Sequence, residues 1–225
     1  MIKAVVFDLD HTLFDRHGTL RAIVPALRKK FDVNNELTDD EIADFWIYGD
    51  DNYVYLGWRY IFAYLCENGV FVNAPDYNDY RSFIFEQFAK TAVPFAETLP
   101  MLEKLKKDGY KVGLITNGQH ALQYKKLELT GLRYIFDEII VSGDVMTEKP
   151  DKEIFLMMTE KLGVKPEECV YVGDNPVNDI KGAKGAGYHT LWIKSTGIWN
   201  EAVSAPDAEV YRVEEIPDTI KNIIK

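Results

Sequence analysis

The sequence predicts an α/β fold: a parallel sheet flanked by helices, with a long helical insertion after the first strand. Three observations carry that prediction. From Pro94 onward, short apolar runs alternate with amphipathic segments, the pattern of βαβ units joined by right-handed crossovers. One further apolar run, residues 2–7, stands alone near the start, without an adjacent strand until the alternation resumes at Pro94. The block between them, residues 15–93, is helical in character, unusually aromatic, and holds no convincing strand. The expected organisation is therefore an α/β core of residues 1–14 and 94–225, with residues 15–93 as the insertion.

Taken in order, residues 2–7 are short, rich in Val and Phe and without alternation, as a strand covered on both faces requires. In the insertion, "TLRAIVPALRKKF" is amphipathic with Pro25 inside it, so a kink or break is expected there. "TDDEIADFWIYG" opens on a Thr38 cap, carries acids in its first turn and has Gly49 near its end. "DNYVYLGWRYIFAYLCENG" and "DYNDYRSFIFEQFAK" follow as helices. Nine of the twenty residues from 45 to 64 are aromatic. Tyr55, Trp58, Phe62 and Leu65 fall at helical core spacing, with Tyr53, Leu56 and Tyr60 on a neighbouring stripe. Most are expected to be core, with one or two left to line a substrate pocket.

After Pro94, "ETLPMLEKLKKDG" is a helix with Pro100 in its first turn and Gly109 at its end. "YKVGLI", "DEIIVSG", "CVYVG" and "YHTLWI" read as strands. "ALQYKKLELTGL", "DKEIFLMMTEKLG" (capped by Asp151) and "PVNDIKGAKGAG" read as the helices between them. The small residues of "GAKGAG" fall at a helix end, where close packing explains them better than a dinucleotide loop. A weak strand near "AEVYRV" and a short helix, "PDTIKNIIK", complete the chain.

Composition limits the function. The 225 residues carry 36 acids against 26 bases, a formal net charge of −10, which argues against a nucleic-acid polymer or an anionic membrane as the main partner. With 47% hydrophobic and 28% charged residues the chain is ordinary globular material. Cys66 and Cys169 are the two cysteines, too few and too unrelated in context for a disulfide framework or a Cys-based zinc site. Met1 leads directly into a strand, and no apolar run reaches membrane-spanning length. A soluble cytoplasmic protein is expected, with its oligomeric state left open.

In open parallel sheets, ligands bind beyond the carboxyl ends of the strands, and there the chemistry-bearing residues collect. Asp8 and Asp10 follow the first strand, with Thr12 two residues on. Carboxylates at i and i+2 of an extended chain point the same way and crowd, unless a cation separates them or one keeps a proton. Thr116, Asn117 and Gly118 follow "YKVGLI". Lys149 lies in the loop after "DEIIVSG", biased to an extended conformation by Pro150. Asp174 and Asp179 follow "CVYVG". Each has a structural alternative: a polar strand end, a hairpin turn at "NG", a helix start at "EKPD", and an Asn175 cap with Pro176 in "GDNPVND". Together they compose a phosphate site. Several carboxylates hold Mg²⁺, a hard cation that prefers oxygen ligands, while the lysine and the threonine hydroxyl bind phosphoryl oxygens.

These four stretches, "DLDHT", "ITNG", "EKPDKEIF" and "GDNPVND", resemble in order and context the four motifs of the haloacid dehalogenase (HAD) superfamily of phosphohydrolases. The resemblance covers the whole α/β core and implies a Rossmann-like sheet with residues 15–93 as a helical cap domain. "ITNGQHALQYKKLELTGL" further resembles the branch of pyrimidine 5′-nucleotidases and N-acylneuraminate 9-phosphatases. By that resemblance Asp8 is the nucleophile, forming an aspartyl-phosphate, and Asp10 is the general acid and then the base. Thr116, Asn117 and Lys149 bind the transferring phosphoryl group. Asp8, the backbone carbonyl of Asp10, and Asp174 ligate Mg²⁺, with Asp179 and Thr12 supporting them. The implied activity is Mg²⁺-dependent hydrolysis of a small phosphorylated metabolite, such as a nucleoside monophosphate or sugar phosphate. A phosphosugar mutase of the same superfamily and a non-enzymatic phosphoacceptor switch are the alternatives.

Overall fold

The computed structural model describes residues 1–195 and 199–223, with every side chain among them except that of Tyr55. Tyr55's expected place in the core stripe, and the last two residues of the expected C-terminal helix, lie outside the described residues. In chain order the elements are β1 (Ala4–Phe7), α1 (Arg16–Lys30), α2 (Asp39–Tyr53), α3 (Trp58–Glu67), α4 (Tyr77–Lys90), α5 (Thr98–Lys107), β2 (Lys111–Thr116) and α6 (His120–Leu129). Then follow β3 (Glu138–Val141), α7 (Lys152–Leu162), β4 (Cys169–Gly173), α8 (Gly182–Gly185), β5 (His189–Ile193), β6 (Ala208–Val210) and α9 (Ile216–Ile220). The chain divides into two compact units, Met1–Asp15 with Pro94–Lys225, and Arg16–Val93.

The first unit is built on a six-stranded sheet of order β3-β2-β1-β4-β5-β6, parallel throughout. All four residues of β1 are buried, which is why that strand shows no polar alternation. The chain steps outward from β1 to β2 and β3, then crosses back to place β4 on the other side of β1. This reversal makes the carboxyl end of β1 the switch point of the sheet. Register pairs Phe7 with both Leu114 and Val172, so the residues just beyond β1, β2 and β4 emerge at one level. Beneath them Val6, Ile115 and Tyr171 pack with Ile154, Phe155 and Met158 of α7. Gly113 allows that contact, since a Cβ there would lie 2.8 Å from the Met158 sulfur. Gly182 meets Phe155 and Pro150 just as closely, in keeping with close packing. The expected helix of residues 176–187, however, opens as a π-helical turn, Pro176–Lys181, before α8.

The second unit holds α1 to α4. Thr38 and Glu41 form a capping box at the start of α2. A break at Pro25 and a helix end at Gly49 are not found. Helix α1 runs unbroken through Pro25, and α2 does not close at Gly49 but continues to Tyr53. Gly49 is a packing glycine: a Cβ would come within 3.2 Å of the Tyr64 ring. The break falls instead at Gly57, whose φ of 108° disfavours any side chain. A stripe drawn across residues 53–65 therefore spans two helices with no shared register, and Leu56 and Tyr60 are exposed. The core is made by Trp46, Ile61, Leu65, Tyr80 and Phe88, with Phe62 against Tyr80 and Trp58 against Phe88 at ring separations of 4.7 and 5.7 Å. Arg16 is buried with Asp50, making two bonds of 2.6 and 2.7 Å. Among the described residues no helix is long and apolar enough to cross a membrane.

Candidate active site

Strand β1 ends when Asp8 donates its N–H to the Val172 carbonyl at 2.9 Å. The chain then folds sharply on itself. Leu13 and Phe14 both donate to the Leu9 carbonyl, and His11 donates to Phe14. His11 adopts a φ of 63°, a left-handed conformation uncommon for a residue with a Cβ and found disproportionately at functional sites. The tight turn sends the carboxylates of Asp8 and Asp10 to different partners.

Asp8 meets Lys149. The lysine Nζ lies 2.5 Å from Asp8 Oδ1, 2.7 Å from Asp179 Oδ1 and 3.0 Å from the Tyr171 hydroxyl, so three acceptors match its three protons. The residue is placed by its main chain. Asn117 accepts from the Lys149 N–H and donates to its carbonyl, both at 2.9 Å. The side chain of Asn117, expected on the phosphoryl group, is thus engaged with the loop that carries the lysine. Asp179 is equally fixed: its second oxygen accepts from the Asn175 N–H at 2.9 Å, and Asn175 itself caps the π-helical turn. In "GDNPVND" the cap is made by Asn175, while the side chains of Asp174 and Asp179 lie near Asp8. Gly173 is required beside them, for a Cβ would lie 2.4 Å from Asp179 Cγ.

Asp174 faces the same centre, with Thr12 Oγ1 donating to it at a long 3.4 Å. Single carboxylate oxygens of Asp8, Asp174 and Asp179 lie within 4.8 Å of one another. Burial raises the pKa of Asp8, opposed by Lys149. Burial, then the charges of Asp179 and Asp8, hold Asp174 well above the ordinary carboxylate range. Burial works against the Lys149 ammonium, but Asp179 and Asp8 outweigh it and keep its pKa well above that of a free lysine.

Asp10 is held apart from this cluster. Both its oxygens accept from Lys126 Nζ, at 2.8 and 2.7 Å, and Lys126 is only 1% exposed. Three residues earlier on α6, Gln123 Nε2 lies 2.8 Å from Thr116 Oγ1, 3.2 Å from the Asn117 carbonyl and 3.5 Å from Asp10 Oδ2. Four acids (Asp8, Asp10, Asp174, Asp179) and two lysines (Lys126, Lys149) leave a formal charge of −2 when all are ionised. One divalent cation balances that charge. A donor set of carboxylate oxygens also suits a hard ion such as Mg²⁺, so the residues present fit the metal.

The model of the haloacid dehalogenase-like hydrolases matches residues 5–193. The chain belongs to that family. A glyceraldehyde 3-phosphate phosphatase of Methanopyrus kandleri is 31% identical, each chain being covered over its full length. An N-acylneuraminate-9-phosphatase of Rattus norvegicus is 38% identical over 55% of this chain and 50% of its own, which bears on the branch that "ITNGQHALQYKKLELTGL" resembles. The crystal structure of a HAD phosphatase from Thermococcus onnurineus superposes with a TM-score of 0.68, at 30% identity, over 97% of this chain and 98% of that one. A Bacillus subtilis HAD-hydrolase crystallised with bound magnesium shares the fold with a TM-score of 0.79, at 21% identity, over 97% and 98% of the two chains.

In this HAD hydrolase the strand ends bring Asp8, Lys149, Asp174 and Asp179 together, with Thr12 beside Asp174. Asp10 and Thr116 lie beside them, linked through α6. Three site residues do not stand out in the sequence. Tyr171 reads as one more apolar position of β4. Lys126 and Gln123 read as the polar side of a surface helix, although both are buried with Leu122 and Leu127. One signal of them exists: α6 has no clean apolar stripe, because part of its inward face is polar.

Proposed function

We propose that this hydrolase is a Mg²⁺-dependent phosphatase acting on a small phosphate ester through an aspartyl-phosphate at Asp8. The observation that carries the reading is the convergence of Asp8, Lys149, Asp174 and Asp179 at the carboxyl end of the sheet. Asp8 and Asp174, with the backbone carbonyl of Asp10, would hold the metal, and Asp179 would keep Lys149 and this cluster in place. When bound, the metal offsets the negative charge of the carboxylates and of the incoming phosphoryl group.

The chain's own groups then divide the chemistry. Asp8 attacks phosphorus in line as the ester oxygen departs, and Asp10 protonates that oxygen. Lys149 and the Thr116 hydroxyl bind the phosphoryl oxygens. In the second half Asp10 takes the proton of an attacking water, the phosphorus–Asp8 bond breaks, and inorganic phosphate leaves. The core handles only the phosphoryl group, so the unit Arg16–Val93 is assigned the choice of leaving group, as a cap. The free thiols of Cys66 and Cys169 suit a cytoplasmic enzyme.

Turnover of p-nitrophenyl phosphate with and without Mg²⁺ tests the activity. A panel of glyceraldehyde 3-phosphate, phosphoserine, N-acylneuraminate 9-phosphate, sugar phosphates and nucleoside monophosphates then selects the substrate. Release of inorganic phosphate is the expected result. Return of the phosphoryl group to a second position of a sugar phosphate would identify a mutase instead.

A further inference from the structure

Lys126 is a buried cation that the mechanism above does not use. Lysine is rarely buried without a partner, and its apolar neighbours on the inward face of α6 would be served as well by Leu or Met. Its ammonium takes both oxygens of Asp10, at 2.8 and 2.7 Å. That grip on both oxygens fixes where the carboxylate sits, which a single hydrogen bond to one oxygen would do less well. Gln123, one turn earlier, acts on the neighbouring hydroxyl. Its Nε2 lies 2.8 Å from Thr116 Oγ1, so the threonine oxygen accepts there, and its single proton makes only a long 3.4 Å bond to the Asn117 carbonyl. One face of α6 therefore touches the residue proposed as acid–base and the hydroxyl proposed to bind the phosphoryl oxygens.

We infer that Lys126 is a positioning residue for the hydrolytic half of the reaction, holding the Asp10 carboxylate in the orientation that receives a proton from the attacking water. The inference rests on the acid–base role proposed for Asp10. In that half-reaction the water oxygen bonds to phosphorus, and the phosphorus–oxygen bond to Asp8 breaks with its electron pair returning to the Asp8 carboxylate. The water proton passes to an Asp10 oxygen, and inorganic phosphate departs. A paired, ionised Asp10 is the form that step needs. Formation of the aspartyl-phosphate from an activated ester does not need it, because p-nitrophenolate leaves without protonation.

The test is rapid-quench kinetics with p-nitrophenyl phosphate and Mg²⁺ on the full chain. Asp8→Asn is the control for the underlying reading: if it turns over like the wild type, that reading falls and this inference with it. With Asp8→Asn inactive, Lys126→Met should release about one p-nitrophenolate per enzyme in a burst and then turn over at least about tenfold slower than wild type. KM should fall in step, so that kcat/KM, which reports the first chemical step, stays within about threefold. Lys126→Arg, which keeps the cation, should recover kcat to within about threefold of wild type. Adding Lys126→Met to Asp10→Asn should cost less than about twofold, because the lysine acts through that carboxylate. A Lys126→Met enzyme with wild-type kcat and no burst would overturn the proposal, as would an equal loss on the Asp10→Asn background. If Lys126→Met is not folded by circular dichroism, Lys126→Gln replaces it with the same outcomes.

Discussion

Asn117 holds Lys149 by its main chain, accepting from the lysine N–H and donating to its carbonyl, each at 2.9 Å. The loops after β2 and β3 are thereby tied together, and the ammonium is delivered between Asp8 and Asp179. Asn117→Ala removes both bonds and leaves the Lys149 N–H and carbonyl without those partners. Expected are a stability loss of about 1–3 kcal/mol and a kcat/KM roughly tenfold or more below wild type, since misplacing a catalytic group by an ångström is costly. Thermal melts and steady-state kinetics on one preparation check both. Unchanged activity would mean that the lysine is placed without Asn117.

Asp8→Asn should abolish turnover while the protein stays folded. An amide is a poor nucleophile and a weaker metal ligand, so the loss should reach several orders of magnitude. Folding is expected to survive because Asp179 still pairs with Lys149 at 2.7 Å. Retention of a tenth of the wild-type rate would remove Asp8 from the nucleophile's role.

Metal binding should be visible without turnover. The carboxylates of Asp8 and Asp174 are pushed upward in pKa by burial and by neighbouring carboxylates, Asp179 first for both, and a divalent cation relieves that repulsion in the folded state alone. Mg²⁺ should therefore raise the melting temperature with increasing concentration. Asp174→Ala should abolish the rise, and chelator should abolish activity. Ca²⁺, with longer bonds and a higher coordination number, should bind but inhibit. A melting temperature indifferent to Mg²⁺ would sink the metal assignment.

Gly173→Ala should damage the site through one added methyl group. Its Cβ would lie 2.4 Å from Asp179 Cγ, so Asp179 must move and its pairing with Lys149 must change. The expected cost is about 1–3 kcal/mol of stability, typical of overpacking, with kcat/KM reduced at least about tenfold. A variant as active as wild type would show that Asp179 does not need its present position.

Cys169 should resist thiol reagents in the native protein. Burial pushes its thiol up to about 12, so at pH 8 roughly one molecule in ten thousand carries the reactive thiolate. Burial also raises Cys66, which is only partly buried. Alkylation followed by peptide mass mapping should label Cys169 only after unfolding. Native labelling of Cys169 ahead of Cys66 would contradict this packing.

The alternation of strands and helices was legible in the sequence because burial on both faces leaves a continuous apolar run, and burial on one face of a helix leaves a 3.6-residue stripe. The placing of Asp8, Thr116, Lys149, Asp174 and Asp179 was legible for a related reason: they end or follow strands, and parallel strands bring their carboxyl ends to one edge whatever the details of packing. Local sequence could not decide between Gly49 and Gly57 as a helix break. A glycine serves either to adopt a positive φ or to admit a neighbour, and only the packing of Tyr64 against Gly49 separates the two uses. Nor could it assign Asn117, whose amide has an equal chemical claim on a phosphate or on a peptide group. The grip of Lys126 on Asp10 joins residues 116 positions apart. Crossovers and register bring α6 beside the loop that follows β1, so the direction in which a lysine on that helix points is decided by the assembled fold.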